Sequence, residues 1–121
     1  MRKIELLGKL LSVKIKPDCG EFVSTESEVE PEDYRLIARI VGTAEELMIT
    51  IKTPNEGGDI IVTKGTVIKA TIDAGGCQLK YDGLDFTSDQ YASLAKIVKN
   101  EYIALFILTP IQNDLGFDEE D

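Results

Sequence analysis

The stretch Thr87-Ser-Asp-Gln-Tyr-Ala-Ser-Leu-Ala-Lys-Ile-Val-Lys-Asn100, followed almost at once by Tyr102-Ile-Ala-Leu-Phe-Ile-Leu108, sets a helix pattern directly against a strand pattern. In the first segment Tyr91, Leu94, Ala95 and Val98 recur at i, i+3, i+4 and i+7, which gathers apolar side chains on one helical face. Thr87 and Gln90 stand in the T-x-x-Q order of a capping box, in which each side chain satisfies the other's backbone N–H. Asp89 lies in the first turn and Lys96 and Lys99 near the last, as the helix dipole favours, and Asn100 is read as a left-handed terminator. The spacing therefore predicts a helix over 87–100. The second segment is apolar at both parities, which predicts a strand covered on both faces.

Working outward, Leu11, Val13 and Ile15 alternate with Ser12, Lys14 and Lys16, the pattern of a strand with one wet face. Ile4, Leu6 and Leu10 occupy the opposite parity, so a β-bulge is expected at Gly8. After Pro17, residues 18–33 hold Asp18, Glu21, Glu26, Glu28, Glu30, Glu32 and Asp33 with no basic residue, and read as a long acidic loop. Tyr34 to Lys52 reads as a hairpin, with Leu36, Ala38 and Ile40 on one side and Leu47, Ile49 and Ile51 returning. Ile68, Ala70 and Ile72 are expected to face inward, as are Cys77, Leu79 and Tyr81 further on. The fold class is α+β and β-rich: a small curved antiparallel sheet or partly open barrel of about six strands, with one helix. Residues 1–110 form one globular domain and 111–121 an acidic flexible tail, and no internal repeat is read.

Composition closes several chemistries. The chain has 121 residues and 43% hydrophobic content, enough for one core, and a net charge of -9 that disfavours generic coating of duplex DNA. It has no histidine, the usual general base near neutrality and a frequent zinc ligand. Cys19 and Cys77 are too few and too far apart for a zinc cluster. No phosphate-cradling glycine loop is present. No cofactor, no metal and no enzymatic activity are expected. No apolar run approaches the roughly 20 residues that span a bilayer, and Glu5 and Lys9 interrupt any signal-peptide core, so a cytoplasmic location is expected.

Three constellations are candidates for function. The tail places Leu115 and Phe117 among Asp118, Glu119 and Glu120, a short apolar motif that can dock on a basic partner surface. A β domain followed by such a tail is similar in plan to the single-stranded-DNA-binding proteins, although the chain ends in Asp121 where the bacterial family's tails end in an apolar residue. Lys14, Lys16, Arg35, Arg39, Lys69 and Lys80 all point outward if the strands are drawn as above, and make an alternative groove for single-stranded nucleic acid of the oligonucleotide-binding type. The outward neighbours Ser12, Ile37, Thr71 and Gln78 supply no aromatic platform for bases. Asp73, Asp82, Asp85 and Asp89 cluster around two turns, where turn and helix-start chemistry accounts for them. The expected function is a non-enzymatic protein-binding module whose acidic loop and tail face a basic partner, one that itself binds nucleic acid being conceivable.

Overall fold

Alternation of apolar and polar residues produces six antiparallel strands, and their pairing closes on itself. The computed structural model describes residues 3–54, 58 and 60–111. Its elements are β1 (Ile4–Ile15), β2 (Gly20–Glu26), α1 (Pro31–Thr43), β3 (Glu46–Lys52), β4 (Ile60–Asp73), β5 (Gly76–Leu84), α2 (Ser88–Lys99) and β6 (Ile103–Pro110). The strands form a closed barrel in the order β1-β2-β5-β4-β3-β6. Closure depends on β6, which pairs with β1 over Ile4–Lys9 and with β3 over Leu47–Lys52. The interior is mainly apolar, with Ser24 and Glu26 buried among its exceptions: Phe22 stacks on Tyr81 with ring centroids 4.1 Å apart, and Phe106 lies 6.0 Å from Phe22.

Each long strand changes face once. Ile4, Leu6 and Leu10 are buried, and the register of β1 on β2 slips between Leu10 and Ser12. The expected bulge exists, but at Leu11 instead of Gly8. Gly8 is held small for another reason, since a Cβ there would run into the Thr25 carbonyl oxygen. β4 slips in the same way between Val67 and Lys69. Leu11 and Ile68 are therefore exposed, and beyond the barrel wall Ile15 and Ile72 are also largely exposed, against the expectation that all four face inward. The outer face of β6 is half open as well, with Ile103 exposed and Leu105 and Ile107 half-buried, so this strand is not covered on both sides.

Two further expectations are corrected. The supposed loop 18–33 contains all of β2 and the first turn of α1, because Phe22, Ser24 and Glu26 turn into the barrel while Glu21, Val23 and Thr25 stay half-exposed. The supposed strand over 34–40 is helix. Pro31 opens it, Glu32 and Asp33 lie in its first turn, and Ile37 and Ile40 are its buried residues, a spacing that a two-residue period cannot bring to one side. In α2 the capping box is present as read, with Gln90 N–H donating to Thr87 Oγ1 at 3.1 Å and Thr87 N–H to Gln90 Oε1 at 2.9 Å. The left-handed residue at its end is Glu101 instead of Asn100.

The chain does contain a repeat. Each half is strand, strand, helix, strand, and exchanging the halves maps the barrel's strand order onto itself. Ile4 and Ile61, Gly8 and Gly65, Ile15 and Ile72, and Tyr34 and Tyr91 each stand 57 positions apart. The same offset aligns Tyr34-Arg-Leu-Ile-Ala-Arg-Ile-Val41 of α1 with Tyr91-Ala-Ser-Leu-Ala-Lys-Ile-Val98 of α2. It also aligns the two bulges and the two left-handed residues after the helices, Ala44 and Glu101. The barrel is a pseudo-twofold of two ββαβ units.

Candidate functional site

β1 is longer than the barrel wall. Its pairing with β6 ends at Lys9, while its pairing with β2 continues to Ile15, so among the described residues the backbone from Leu10 to Ile15 has no strand on its second edge. An unpaired edge presents free N–H and C=O groups to any extended segment laid beside it. α2 packs along this part of β1, and between them runs a groove of about 420 Å³ lined by Val13, Ile15, Tyr91, Ala95, Val98 and Lys99. Ile15 is 67% exposed and Ala95 is open, so the floor is apolar and accessible. Tyr91 is fixed by an edge-to-face contact with Phe86, ring centroids 5.3 Å apart, and burial holds its phenol above the usual range. Lys99 supplies positive charge at the rim. Nothing in the sequence signals the groove: alternation with Lys14 and Lys16 places Ile15 inward, and only the end of β6 opposite Lys9 leaves it exposed.

The six basic residues separate. Lys14, Lys69 and Lys80 do share the outward face of β1-β2-β5-β4, where Lys69 stands directly across from Lys80 and lines the same shallow depression with Val23 and Thr71. Lys14 reaches Glu21 at 3.9 Å. Lys16 is occupied by Asp82 at 3.0 Å and Glu21 at 3.3 Å, and these partners hold its ammonium above the usual range. Arg35 and Arg39 are exposed on α1, not on a strand, because the segment is helical. The expected six-residue groove is thereby reduced to three lysines.

The acidic residues separate too. Glu21 pairs with lysines, Glu26 is buried, and Glu28, Glu30 and Glu32 remain exposed around the start of α1. The tail residues Leu115, Phe117, Asp118, Glu119 and Glu120 lie outside the described residues. Of the carboxylates at the turns, Asp82 is lowered by its bond to Lys16 and then by the Gly83 N–H, and Asp73 accepts from Gly75 N–H at 2.8 Å. Among the described residues no group of three potential metal ligands occurs. Burial raises both thiols, Cys77 to about 11, which keeps them protonated and poorly nucleophilic near neutrality. No helix among the described residues is long and apolar enough to cross a membrane. No protein family, curated protein or solved structure matches the chain.

Proposed function

We propose that the protein is a non-enzymatic binding module that takes an extended segment of a partner protein beside β1, in the groove against α2. The observation that carries this reading is the unpaired edge from Leu10 to Ile15 next to an apolar channel. Main-chain bonds to such an edge supply affinity, and pockets for alternate side chains supply selectivity. Lys99 at the rim and Lys14 on the adjacent face favour apolar residues flanked by acids. The tail has that chemistry itself, Leu115 and Phe117 being two apart among carboxylates, so residues 111–121 make a convenient probe. Titrating that peptide into the protein should shift the resonances of Val13, Ile15, Ala95 and Val98, and Ile15→Asp should abolish the shifts. Glu28, Glu30 and Glu32 offer a separate acidic patch to a basic surface of the same partner.

Single-stranded nucleic acid is the second reading, favoured by the facing pair Lys69 and Lys80, a like-charge arrangement that an anion would relieve. Among the described residues no carboxylate lies in ion-pair range of either. Oligonucleotide binding at low salt with shifts at Lys14, Lys69 and Lys80, and none in the groove on peptide addition, would replace the first reading by the second.

A further inference from the structure

Glu26 is the last residue of β2, and its side chain turns into the barrel with 1% of its surface exposed. It is placed there by pairing, with Gly8 of β1 on one side and Cys77 of β5 on the other. Its Oε2 accepts a 2.7 Å hydrogen bond from Ser24 Oγ. Its Oε1 and the hydroxyl of Tyr81 are both buried with no hydrogen-bond partner among the described residues. A carboxyl group is costly in such a place, and an ionised one more so.

Among the described residues no neighbouring element brings a compensating cation. Of the polar and titratable groups, β2 contributes Ser24, β5 Cys77 and Tyr81, and α1 Tyr34, while β1 meets Glu26 at Gly8. Asp73 at the end of β4 acts on Cys77 and Tyr34 as one more acid. Glu28 and Glu30 follow on the connection to α1. Burial accordingly lifts the Glu26 carboxyl to about 7, its bond from Ser24 opposing only in part.

The repeat shows that the barrel does not need this group. At the matching positions, 57 residues on, Ser24 is replaced by Tyr81 and Glu26 by an exposed Gly83, and the space beside Gly65, the counterpart of Gly8, is filled by the buried Leu84 side chain, so an apolar residue serves where Glu26 lies. A destabilising residue dispensable to the architecture is best explained by what its change of charge does. Glu26 is also the final rung before the chain leaves for α1, so releasing it disturbs one rung of β2 and the segment anchored by Val29 and Tyr34.

We propose that Glu26 is a proton-operated latch: neutral, it lies inside the barrel and holds the end of β2 and the start of α1 in place, and on losing its proton it swings out to water and frees residues 26–34. The proton goes to solvent, no covalent bond other than O–H is broken, and the hydrogen bond from Ser24 is exchanged for water. The latch sits at the opposite end of β2 from the groove, where Val13 and Ile15 pair with Phe22 and Gly20.

Hydrogen exchange on the wild-type protein tests the latch, with rates corrected for the intrinsic pH dependence of exchange. If the closed carboxyl titrates near 7 and the released one near 4.5, opening should become roughly thirtyfold more favourable between pH 5.5 and 8.5, and protection of residues 26–34 should fall by that factor while β3 and β6 are unchanged. Glu26→Gln should hold the protection constant over the same range. A carboxyl ¹³C titration of Glu26 in the wild-type chain needs no variant: a midpoint raised above 4.5 toward 7, with protection falling over the same pH range, supports the latch. An ordinary carboxylate midpoint, or unchanged protection of 26–34 across the range, overturns it.

Discussion

Replacing Leu94 by Ala, and separately Ile37 by Ala, tests the helical assignment of both segments and the equivalence of the two halves. The two residues stand 57 positions apart, on the inner faces of α2 and α1, with 0% and 2% of their surface exposed. Each substitution removes three side-chain carbons, worth about 0.8 kcal/mol apiece in transfer from water, or roughly 2.4 kcal/mol. Leu94 and Ile37 both lie within the barrel's closed core cluster, where neighbours collapse only partly into a gap, so a cavity cost is added and the total reaches roughly 2.5–5 kcal/mol. At about 4 °C per kcal/mol for a chain of this size, the melting temperature should fall by at least roughly 10 °C in each case. Urea unfolding followed by far-ultraviolet circular dichroism measures both the free energy and its denaturant slope. A loss under about 1 kcal/mol for Leu94→Ala would mean that α2 does not cover the core as described. A neutral Ile37→Ala beside a costly Leu94→Ala would refute the equivalence of the helices and restore an outward Ile37.

The stability of the wild-type chain relative to Glu26→Gln should depend on pH with a definite sign: the folded-state carboxyl is raised from 4.5 to about 7, so its favourable contribution is complete below 4.5 and is lost as pH rises through 7. The difference between the two proteins should change by up to about 2.5 kcal/mol between pH 5 and 8, the variant gaining, and a flat difference would refute the assignment. Two glycines should respond oppositely to alanine. Gly42→Ala in α1, where a new Cβ meets nothing within 4 Å, should stabilise by about 0.5–1 kcal/mol, whereas Gly8→Ala should destabilise because its Cβ meets the Thr25 carbonyl; thermal melts of both decide it.

Sequence alone determined the elements whose signals are local. The capping box of Thr87 and Gln90 and the apolar spacing through Leu94 specify α2 without reference to any other part of the chain, and alternation specifies β3 and β5 for the same reason, whereas over 34–40 it misreads a helix and within 18–33 it leaves β2 unread. The repeat was equally present in the sequence, in Tyr34-x-x-Ile-Ala-Arg-Ile-Val41 against Tyr91-x-x-Leu-Ala-Lys-Ile-Val98, and reading it would have turned 34–43 into helix at once. What the tertiary structure decided is everything that depends on where a strand's partner stops. Ile15 is exposed only because β6 ends opposite Lys9, and the bulge falls at Leu11 because β1 there leaves β6 and follows β2 alone. Closure through β6, the reduction of six basic residues to Lys14, Lys69 and Lys80 on one face, and the burial of Glu26 all follow from pairings between segments distant in the chain. Such pairings are set by the global packing optimum and leave no period in the local sequence, so an acidic residue in an acidic stretch reads as solvated until its strand is seen to turn inward.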